Sequence, residues 1–457
     1  MSKRGEQILL GTLTAAHHAL EEGQVGAQEL TESALARIER LDNELHAFVT
    51  VDHEGALAAA ARTEERLTRD GQLEPLDGIP VAVKDNIATA GLRTTFNSRT
   101  REHWRPTRDH PAVAALRACG AVIIGKTNLN ELGWSVPAES DLTPPPRNPW
   151  RRSEQAIGSS SGSAVAVTVG MCLAALGTDG GGSTRLPASQ MGLVGLKPTQ
   201  WRVPFADEQP DSVSVVGVLA RDTADAALVY DRLSVDDQQH NEPVGTKLRI
   251  AIPRRQLDEI TVDDEVRAAF EEDLATLIAR GAELVEIDAP ELAAAHDATF
   301  LLLAAQTHAR FGELLRVDYA RIGVSARRYL LSGAAVSVED YLRARRLAEH
   351  IGRELERLLR IAACVALATP VSPVITTASA RQPDAHNRGD NARFTSPFNA
   401  IGWPAISVPT HVGKLGIPFG LQLAAVPAME RRLLEIARLI EVPILPTVRT
   451  GPPAEHS

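Results

Sequence analysis

A run of three glycines directly before a serine is the part of this chain whose residue types point most clearly to chemistry. It reads GTDGGGSTRLPAS, and the serine after the glycines is Ser183. Glycine loses more backbone entropy on folding than any other residue, so three in succession need a positional reason. The run fits an ordinary turn, a nest of N–H groups around a phosphate, or an oxyanion hole beside a nucleophilic serine. The run alone does not choose among these interpretations.

Lys84 is a second candidate for chemistry, because it ends the apolar run IPVAVK. A lysine at the end of a strand is usually solvated. If Lys84 instead packs against Val81, Val83 and Ile87, loss of hydration lowers its pKa and lets the neutral amine act as a base. Both interpretations are open at this point.

Two motif matches in the sequence are misleading. The stretch GAVIIGKT, from Gly120 to Thr127, satisfies the P-loop pattern. A P-loop needs a flexible loop between its glycines, but an apolar strand fills that interval here, so we do not expect nucleotide binding. The stretch GSSSG satisfies GxSxG with Ser160 at its centre. The nucleophile elbow of an α/β-hydrolase follows an apolar strand, whereas the preceding RNPWRRSEQAI is polar, so we do not predict that elbow.

The composition argues against several classes of function. The 457 residues carry a net charge of −10, and dispersed lysines and arginines form no basic patch for nucleic acid. No apolar run reaches the about 20 residues that a membrane span requires. Three widely spaced cysteines predict free thiols in a reducing compartment, which favours the cytoplasm. None of the 13 histidines has the spacing of metal ligands, so we predict no metal and no other cofactor.

Alternating helix and strand patterns predict an α/β fold. Apolar residues recur every three to four positions in AQELTESALARIERLD, which indicates a helix. A second helix, DDEVRAAFEEDLATLIAR, should end before Gly281. The runs that predict buried strands are IPVAVK, AVIIGK, LRIAIP, CVALATPV, AISVPTHV and FGLQLA.

Together these stretches resemble the amidase signature family. The likeness is carried by GIPVAVKDNI, GKTNLNEL, AIGSSSGSAVAVTVGMCLAALGTDGGGSTRLPASQMGLVGLKPT, SPFNAIGWPAISVP and IPFGLQLA, in the family's order. The resemblance implies one large domain over residues 1–450, with a mixed, twisted β-sheet covered by helices on both faces. Its catalytic core would be residues 70–235 and its substrate-pocket helices residues 290–360, with residues 451–457 as a tail.

The resemblance also implies a Ser-Ser-Lys triad. Ser183 looks like the nucleophile, Lys84 like the base and Ser159 like the bridging serine, with Ser160 the weaker alternative for the bridge. A neutral lysine can take the place of histidine in activating a serine. The family places a cis peptide bond before the bridging serine, so we expect the Gly158–Ser159 bond to be cis.

The resemblance assigns the glycine run to an oxyanion hole, in which backbone N–H groups face the amide oxygen as it becomes negative. The residues whose N–H groups would do so are Gly180, Gly181, Gly182 and Ser183. Asp179 and Arg185 flank this loop. We interpret them as a buried ion pair that supports the loop rather than as substrate ligands.

The predicted substrate pocket is lined by Gly133, Trp134 and Trp201 and walled by the helices of residues 290–360. Trp201 lies in KPTQWRVP, where the family commonly turns on glycine. Arginines such as Arg310 could meet an acidic substrate, although arginines on solvated helix faces are commoner. This part of the prediction defines a pocket but no particular amide.

The main prediction of function is an amidohydrolase that cleaves a small-molecule carboxamide and releases ammonia or an amine. The alternative is the glutamine-hydrolysing A subunit of a tRNA-dependent amidotransferase, which would pass ammonia to a partner protein. The sequence after KPT differs from the usual sequence of such amidotransferase subunits. This difference favours the amidohydrolase. A catalytically silent binding protein is a third interpretation, against which the three triad residues argue. We expect no direct contact with nucleic acid or membrane, and a homodimer as the commonest oligomer.

Overall fold

The computed structural model describes residues 2–134, 140–204, 212–235, 248–375 and 390–444. Within these residues a single mixed sheet of eleven strands forms the centre of the molecule, and two further strands form a small separate sheet. The fold is therefore α/β with one large mixed sheet, and the predicted fold class is confirmed. The predicted tail of residues 451–457 lies outside the described residues.

The strands are short, and those of the large sheet run in both directions. They are β1 Phe48–Val51, β2 Pro80–Lys84, β3 Val122–Thr127, β4 Arg147–Asn148, β5 Arg151–Gln155, β6 Ala174–Asp179, β7 Val194–Lys197, β8 Val215–Ala220, β9 Arg249–Ile252, β10 Glu283–Glu286, β11 Ala366–Pro370, β12 Ala405–Val412 and β13 Pro418–Ala424. The order in the large sheet is β1-β3-β2-β6-β8-β7-β12-β13-β11-β9-β10. β2 is parallel to β3 and β6, and β9 is parallel to β10 and β11, whereas the other pairs are antiparallel.

Sixteen α-helices occur among the described residues. They are α1 Lys3–Leu9, α2 Leu13–Glu21, α3 Ala27–Leu45, α4 His53–Asp70, α5 Pro111–Ala118, α6 Ser161–Thr168, α7 Arg185–Met191, α8 Thr223–Leu233, α9 Arg254–Asp258, α10 Asp264–Ala279, α11 Glu291–Phe311, α12 Leu314–Val317, α13 Val324–Ala334, α14 Val338–Ile361, α15 Pro397–Ala400 and α16 Glu430–Ala437. Helices such as α3, α6, α7 and α10 pack on the sheet, whereas α11 packs against α13, α14 and α15. In the part of the chain that the structure describes, no helix combines the length and apolarity needed to cross a membrane.

The hydrophobic patterns account for these elements. Every residue of β2 and β3 is buried, as expected of continuous apolar strands in the middle of a sheet. α3 buries Leu30, Ala34 and Ile38 along one stripe, which is the predicted helical face. α10 ends at Ala279, and Gly281 then adopts φ +91° before β10, in agreement with the predicted helix end.

Two neighbouring parallel strands bring the candidate residues together. β2 ends at Lys84, and the adjacent β6 ends at Asp179. Parallel strands end at the same edge of a sheet, so the residues that follow them lie close to one another. The glycine loop and Ser183 follow β6 directly, and α7 then begins at Arg185. The candidate site is therefore built at this edge of the sheet.

Candidate active site

The amine of Lys84 is fully buried and surrounded by hydroxyl groups. Its Nζ lies 2.8 Å from Oγ of Ser159, 2.9 Å from Oγ of Ser160 and 2.9 Å from Oγ1 of Thr178. Burial lowers the pKa of Lys84 to about 7, and the charge of Asp179 opposes part of that shift. A large fraction of the amine is therefore neutral near neutral pH.

Hydrogen bonds to other groups orient two of these hydroxyls. The Ser160 hydroxyl donates to the carbonyl oxygen of Thr178 at 3.2 Å, so it can only accept from Lys84. Asn86 Nδ2 donates to Thr178 Oγ1 at 3.0 Å, and the same oxygen accepts from Lys84. A neutral amine has two N–H donors and one lone pair. With both N–H groups used on Ser160 and Thr178, the lone pair is left for the proton of Ser159.

Ser159 and Ser160 differ in their access to a cavity that lies next to Lys84 and the glycine loop. The Gly158–Ser159 peptide bond is cis, the conformation that the resemblance implies. Ser159 and Ser183 both line the cavity, whereas Ser160 is fully buried and absent from its wall. The N–H of Ser160 donates to the carbonyl oxygen of Ser183 at 3.1 Å, which joins the two serine-bearing loops. The geometry therefore favours Ser159 over Ser160 as the group between Lys84 and Ser183.

The glycine loop departs from the predicted oxyanion hole at one position. Gly180, Gly181 and Ser183 line the cavity, but Gly182 does not. The N–H of Gly182 donates instead to Oδ1 of Asp179 at 2.7 Å. The prediction that the Gly182 N–H faces the oxyanion is therefore wrong, because a charge-assisted bond to a buried carboxylate uses that donor. Gly182 contributes through its backbone, since its φ of +123° favours glycine.

Asp179 and Arg185 form a buried ion pair with two hydrogen bonds. Arg185 Nε lies 2.9 Å from Oδ2 and Nη2 lies 2.8 Å from Oδ1, and both side chains are fully buried. Burial acts to raise the pKa of Asp179, but the charge of Arg185 holds it well below its usual value. Arg185 also donates to Thr395, Gln422 and Asn399. Neither member of the pair lines the cavity, so their contacts hold the loop in place.

The cavity above these residues has a volume of about 770 Å³. Gly133, Trp134 and side chains of α11, α13 and α14 form much of its wall. Among the described residues that line it, no side chain is acidic and the one arginine is Arg310. The guanidinium of Arg310 lies over the rings of Phe96 and Phe311, at 4.8 and 4.7 Å from their centres. The cavity thus combines an apolar wall with one fixed positive charge.

Comparisons with known proteins show the family to which this chain belongs. The family model described as Amidase matches residues 29–434. The chain belongs to the amidase signature family. It is 34% identical over 472 residues to the A subunit of glutamyl-tRNA(Gln) amidotransferase from Synechococcus sp. (strain CC9311), with 92% of this chain and 95% of that protein covered.

Solved structures of amidase-signature proteins match nearly the whole of this chain. A crystal structure described as an amidase superposes with a TM-score of 0.83 and 30% identity, covering 94% of this chain and 99% of that one. The A subunit of glutamyl-tRNA(Gln) amidotransferase from Thermotoga maritima superposes with a TM-score of 0.80 and 29% identity, covering 97% and 99%. The chain is thus an amidase-type enzyme by family.

In this amidase-signature chain the pocket prediction is wrong for Trp201. Its side chain is 55% exposed and is not part of the cavity wall. Its φ of +73° places it in the left-handed region, which glycine adopts without strain and which suits the turn at this position. Gly133 and Trp134 do lie in the wall. The indole of Trp134 donates to Thr307 Oγ1 at 2.7 Å and so joins its loop to α11.

The lysine of the P-loop-like stretch has a structural role. Lys126 is fully buried in β3, and its amine donates to the carbonyl oxygen of Ile87 and to the hydroxyls of Thr89 and Thr94. These bonds hold the chain that follows Lys84. Among the described residues, no group of three or more histidine, cysteine, aspartate or glutamate side chains has the arrangement of a metal site.

Sequence reasoning missed three residues of this site. Thr178 bonds to both Asn86 and Lys84 only because β2 pairs with β6, which no local pattern reveals. His110 lines the cavity although no motif of the sequence links it to Lys84, Ser159 or Ser183. The sequence gives one indication of its position, the pair His110–Pro111. A polar residue before proline is typical of a helix start, and His110 is the N-cap of α5.

Proposed function

We propose that this chain hydrolyses a carboxamide C–N bond through an acyl ester on Ser183. One observation carries the proposal: the buried amine of Lys84 lies 2.8 Å from Oγ of Ser159, a residue that shares a cavity wall with Ser183. A serine hydroxyl is a weak nucleophile until a neighbouring base removes its proton. A neutral, buried lysine supplies such a base without a histidine.

The first half of the proposed cycle forms the acyl ester. Lys84 takes the proton of Ser159, Ser159 takes the proton of Ser183, and Oγ of Ser183 forms a bond to the amide carbon. The carbonyl oxygen becomes negative in this step. In this proposal the N–H groups of Gly180, Gly181 and Ser183, three residues of the cavity wall, stabilise that negative charge.

The second half of the cycle releases both products. As the C–N bond breaks, the departing nitrogen takes a proton from Ser159, which regains one from Lys84. Water then attacks the ester carbon, with its proton passing to Ser159 and Lys84 in the same order. Ser159 then returns a proton to Ser183 Oγ and regains one from Lys84. This transfer releases the carboxylic acid and restores the starting state.

The curated relatives favour the alternative prediction over the free-standing amidase that we put first. The Synechococcus glutamyl-tRNA(Gln) amidotransferase chain matches nearly the full length of this one. By this likeness the amide would be glutamine, and the ammonia would pass to a partner protein. The lining of the cavity is compatible with this role, because the described residues of its wall include the positively charged Arg310 and none that is acidic.

Ammonia release by the purified chain tests the reaction class. We expect hydrolysis of at least one of glutamine, asparagine, succinamate and butyramide, and loss of that activity in Ser183→Ala. Absence of ammonia from all four amides, both alone and with the other chains of a tRNA-dependent amidotransferase present, would contradict the proposed function. Activity on glutamine that rises when those chains are added favours the amidotransferase role, whereas full activity without them favours the free-standing amidase.

A further inference from the structure

His110 is a buried side chain of the cavity wall that the proposed mechanism does not use. The residue is 3% exposed and lies in the wall of the same cavity as Ser159 and Ser183. A buried polar side chain at the wall of a substrate cavity is well placed to contact the substrate.

The hydrogen bonds of His110 determine which ring nitrogen carries the proton. The residue is the N-cap of α5, and its Nδ1 accepts the N–H of Ala112 at 3.1 Å. A nitrogen that accepts a hydrogen bond carries no proton, so in the neutral ring the proton lies on Nε2. Burial, with the charges of Lys126 and Arg310, lowers the pKa of His110 to about 4. The ring thus presents a fixed N–H donor at Nε2.

Other groups at this part of the cavity are matched to a negatively charged ligand. The charge of Arg310, another residue of the wall, acts on His110. Lys126 is not a residue of the wall, and its amine donates to Ile87, Thr89 and Thr94. Within the described ranges the wall contains no carboxylate, and Nε2 of His110 has no protein acceptor. A carboxylate oxygen is the acceptor that complements this combination of donors.

We propose that His110 is a specificity-determining residue whose Nε2–H donates to a carboxylate oxygen of the substrate. This inference rests on the proposed function and narrows it to amides that also carry an acid group. The hydrogen bond would act in substrate binding rather than in the bond-making steps. Its loss should therefore weaken binding by about tenfold, the effect of one hydrogen bond to a charged group.

Two substitutions separate the donor of His110 from its capping role. In His110→Asn the short amide oxygen can still accept from Ala112 N–H, as a good N-cap does, but no donor reaches the cavity. In His110→Gln the longer amide can place an N–H near the position of Nε2, while the cap of α5 is lost. Ligand binding should follow the donor, and thermal stability should follow the cap.

The test measures dissociation constants by calorimetry in a Ser183→Ala background, which prevents turnover. The probes are glutamine and succinamate, which carry an amide and a carboxylate, and butyramide, which lacks the carboxylate. We expect His110→Asn to weaken the binding of the tighter of the two carboxylate probes by about tenfold. His110→Gln should retain most of the affinity of the background protein, with a lower Tm. Butyramide binding should not respond to either substitution.

Three results would overturn the proposal for His110. These are unchanged carboxylate binding in His110→Asn, equal losses in His110→Asn and His110→Gln that track the fall in Tm, or no preference of the background protein for the carboxylate probes over butyramide. The last result would leave the proposed function intact if wild-type chain still released ammonia from butyramide. Absence of ammonia from every amide would instead contradict the proposed function, whatever the binding constants.

Discussion

Lys84 Nζ and Ser159 Oγ lie 2.8 Å apart although 75 residues separate them in the chain. The amine is fully buried, whereas Ser159 reaches the cavity. The base is shielded from water but touches a hydroxyl at the cavity wall. It can therefore accept the proton of that hydroxyl without being hydrated itself. The proposed activation of Ser183 depends on this contact.

The pH dependence of kcat/KM should report the titration of Lys84. Burial lowers the pKa of its amine to about 7, so the protonated, inactive form dominates below that pH and the neutral base dominates above it. We therefore expect kcat/KM to rise with pH through about 7 and then level off. Lys84→Arg should remove activity at every pH, because a guanidinium stays protonated. A flat profile between about pH 6 and 8 would contradict the role of Lys84.

Ser159→Ala and Ser160→Ala form a matched pair, since both hydroxyls contact Lys84 at nearly the same distance. Only Ser159 reaches the cavity, so its loss should lower kcat by about 10²–10⁴, the usual effect of a missing acid–base group. Ser160→Ala removes buried hydrogen bonds to Lys84 and Thr178 but no group of the cavity wall, and it should lower kcat by less than about tenfold. Steady-state kinetics on the same amide measures both. A larger loss for Ser160→Ala would assign the bridge to Ser160.

Alanine substitutions at Gly181 and Gly182 should differ sharply. A methyl group at Gly182 would overlap the side chain of Thr395, and the φ of +123° is unfavourable for alanine. Displacement of this loop would move the proposed oxyanion donors, so we expect kcat to fall by about 10² or more in Gly182→Ala. At Gly181 the nearest atoms to an added methyl are 3.7 Å away, and most of kcat should remain. Equal effects of the two substitutions would contradict this account of the loop.

The local patterns of the sequence predicted the strand that carries Lys84, but not β6, which leads to Ser183. The continuous apolar runs IPVAVK and AVIIGK predicted β2 and β3, because strands buried on both faces need no polar alternation. The run IPVAVK left two environments open for Lys84, solvated or buried, and the structure shows that its amine is buried. The prediction of an α/β fold followed from the alternation of these runs with helical patterns.

The errors and omissions concern hydrogen bonds and backbone conformations that only the folded chain shows. Gly182 was assigned to the oxyanion hole because no local pattern shows that Asp179 takes its N–H. Trp201 was assigned to the pocket, whereas it lies in a turn with a positive φ and is largely exposed. Arg185 bonds to Gln422 across 237 residues, and only the assembled sheet brings such residues together. Pairings of this kind depend on tertiary packing and leave no periodic signal.

The buried pair of Asp179 and Arg185 should be important for stability. Removing one partner leaves an uncompensated buried charge, which typically lowers the free energy of unfolding by about 3–5 kcal/mol. We expect a loss of this size for Arg185→Met, measured by urea denaturation. Arg343→Ala removes an exposed pair with Glu339 and should cost less than about 1 kcal/mol. Similar losses for the two variants would argue against a structural role for the buried pair.

Covalent labelling of Ser183 tests the central claim most directly. A fluorophosphonate reacts with an activated serine, and mass spectrometry of the digested protein locates the adduct. We expect a single adduct on Ser183, no adduct in Ser183→Ala, and much slower labelling in Lys84→Ala. An adduct on Ser159 or Ser160 instead, or amide turnover that persists in Ser183→Ala, would contradict an acyl ester on Ser183.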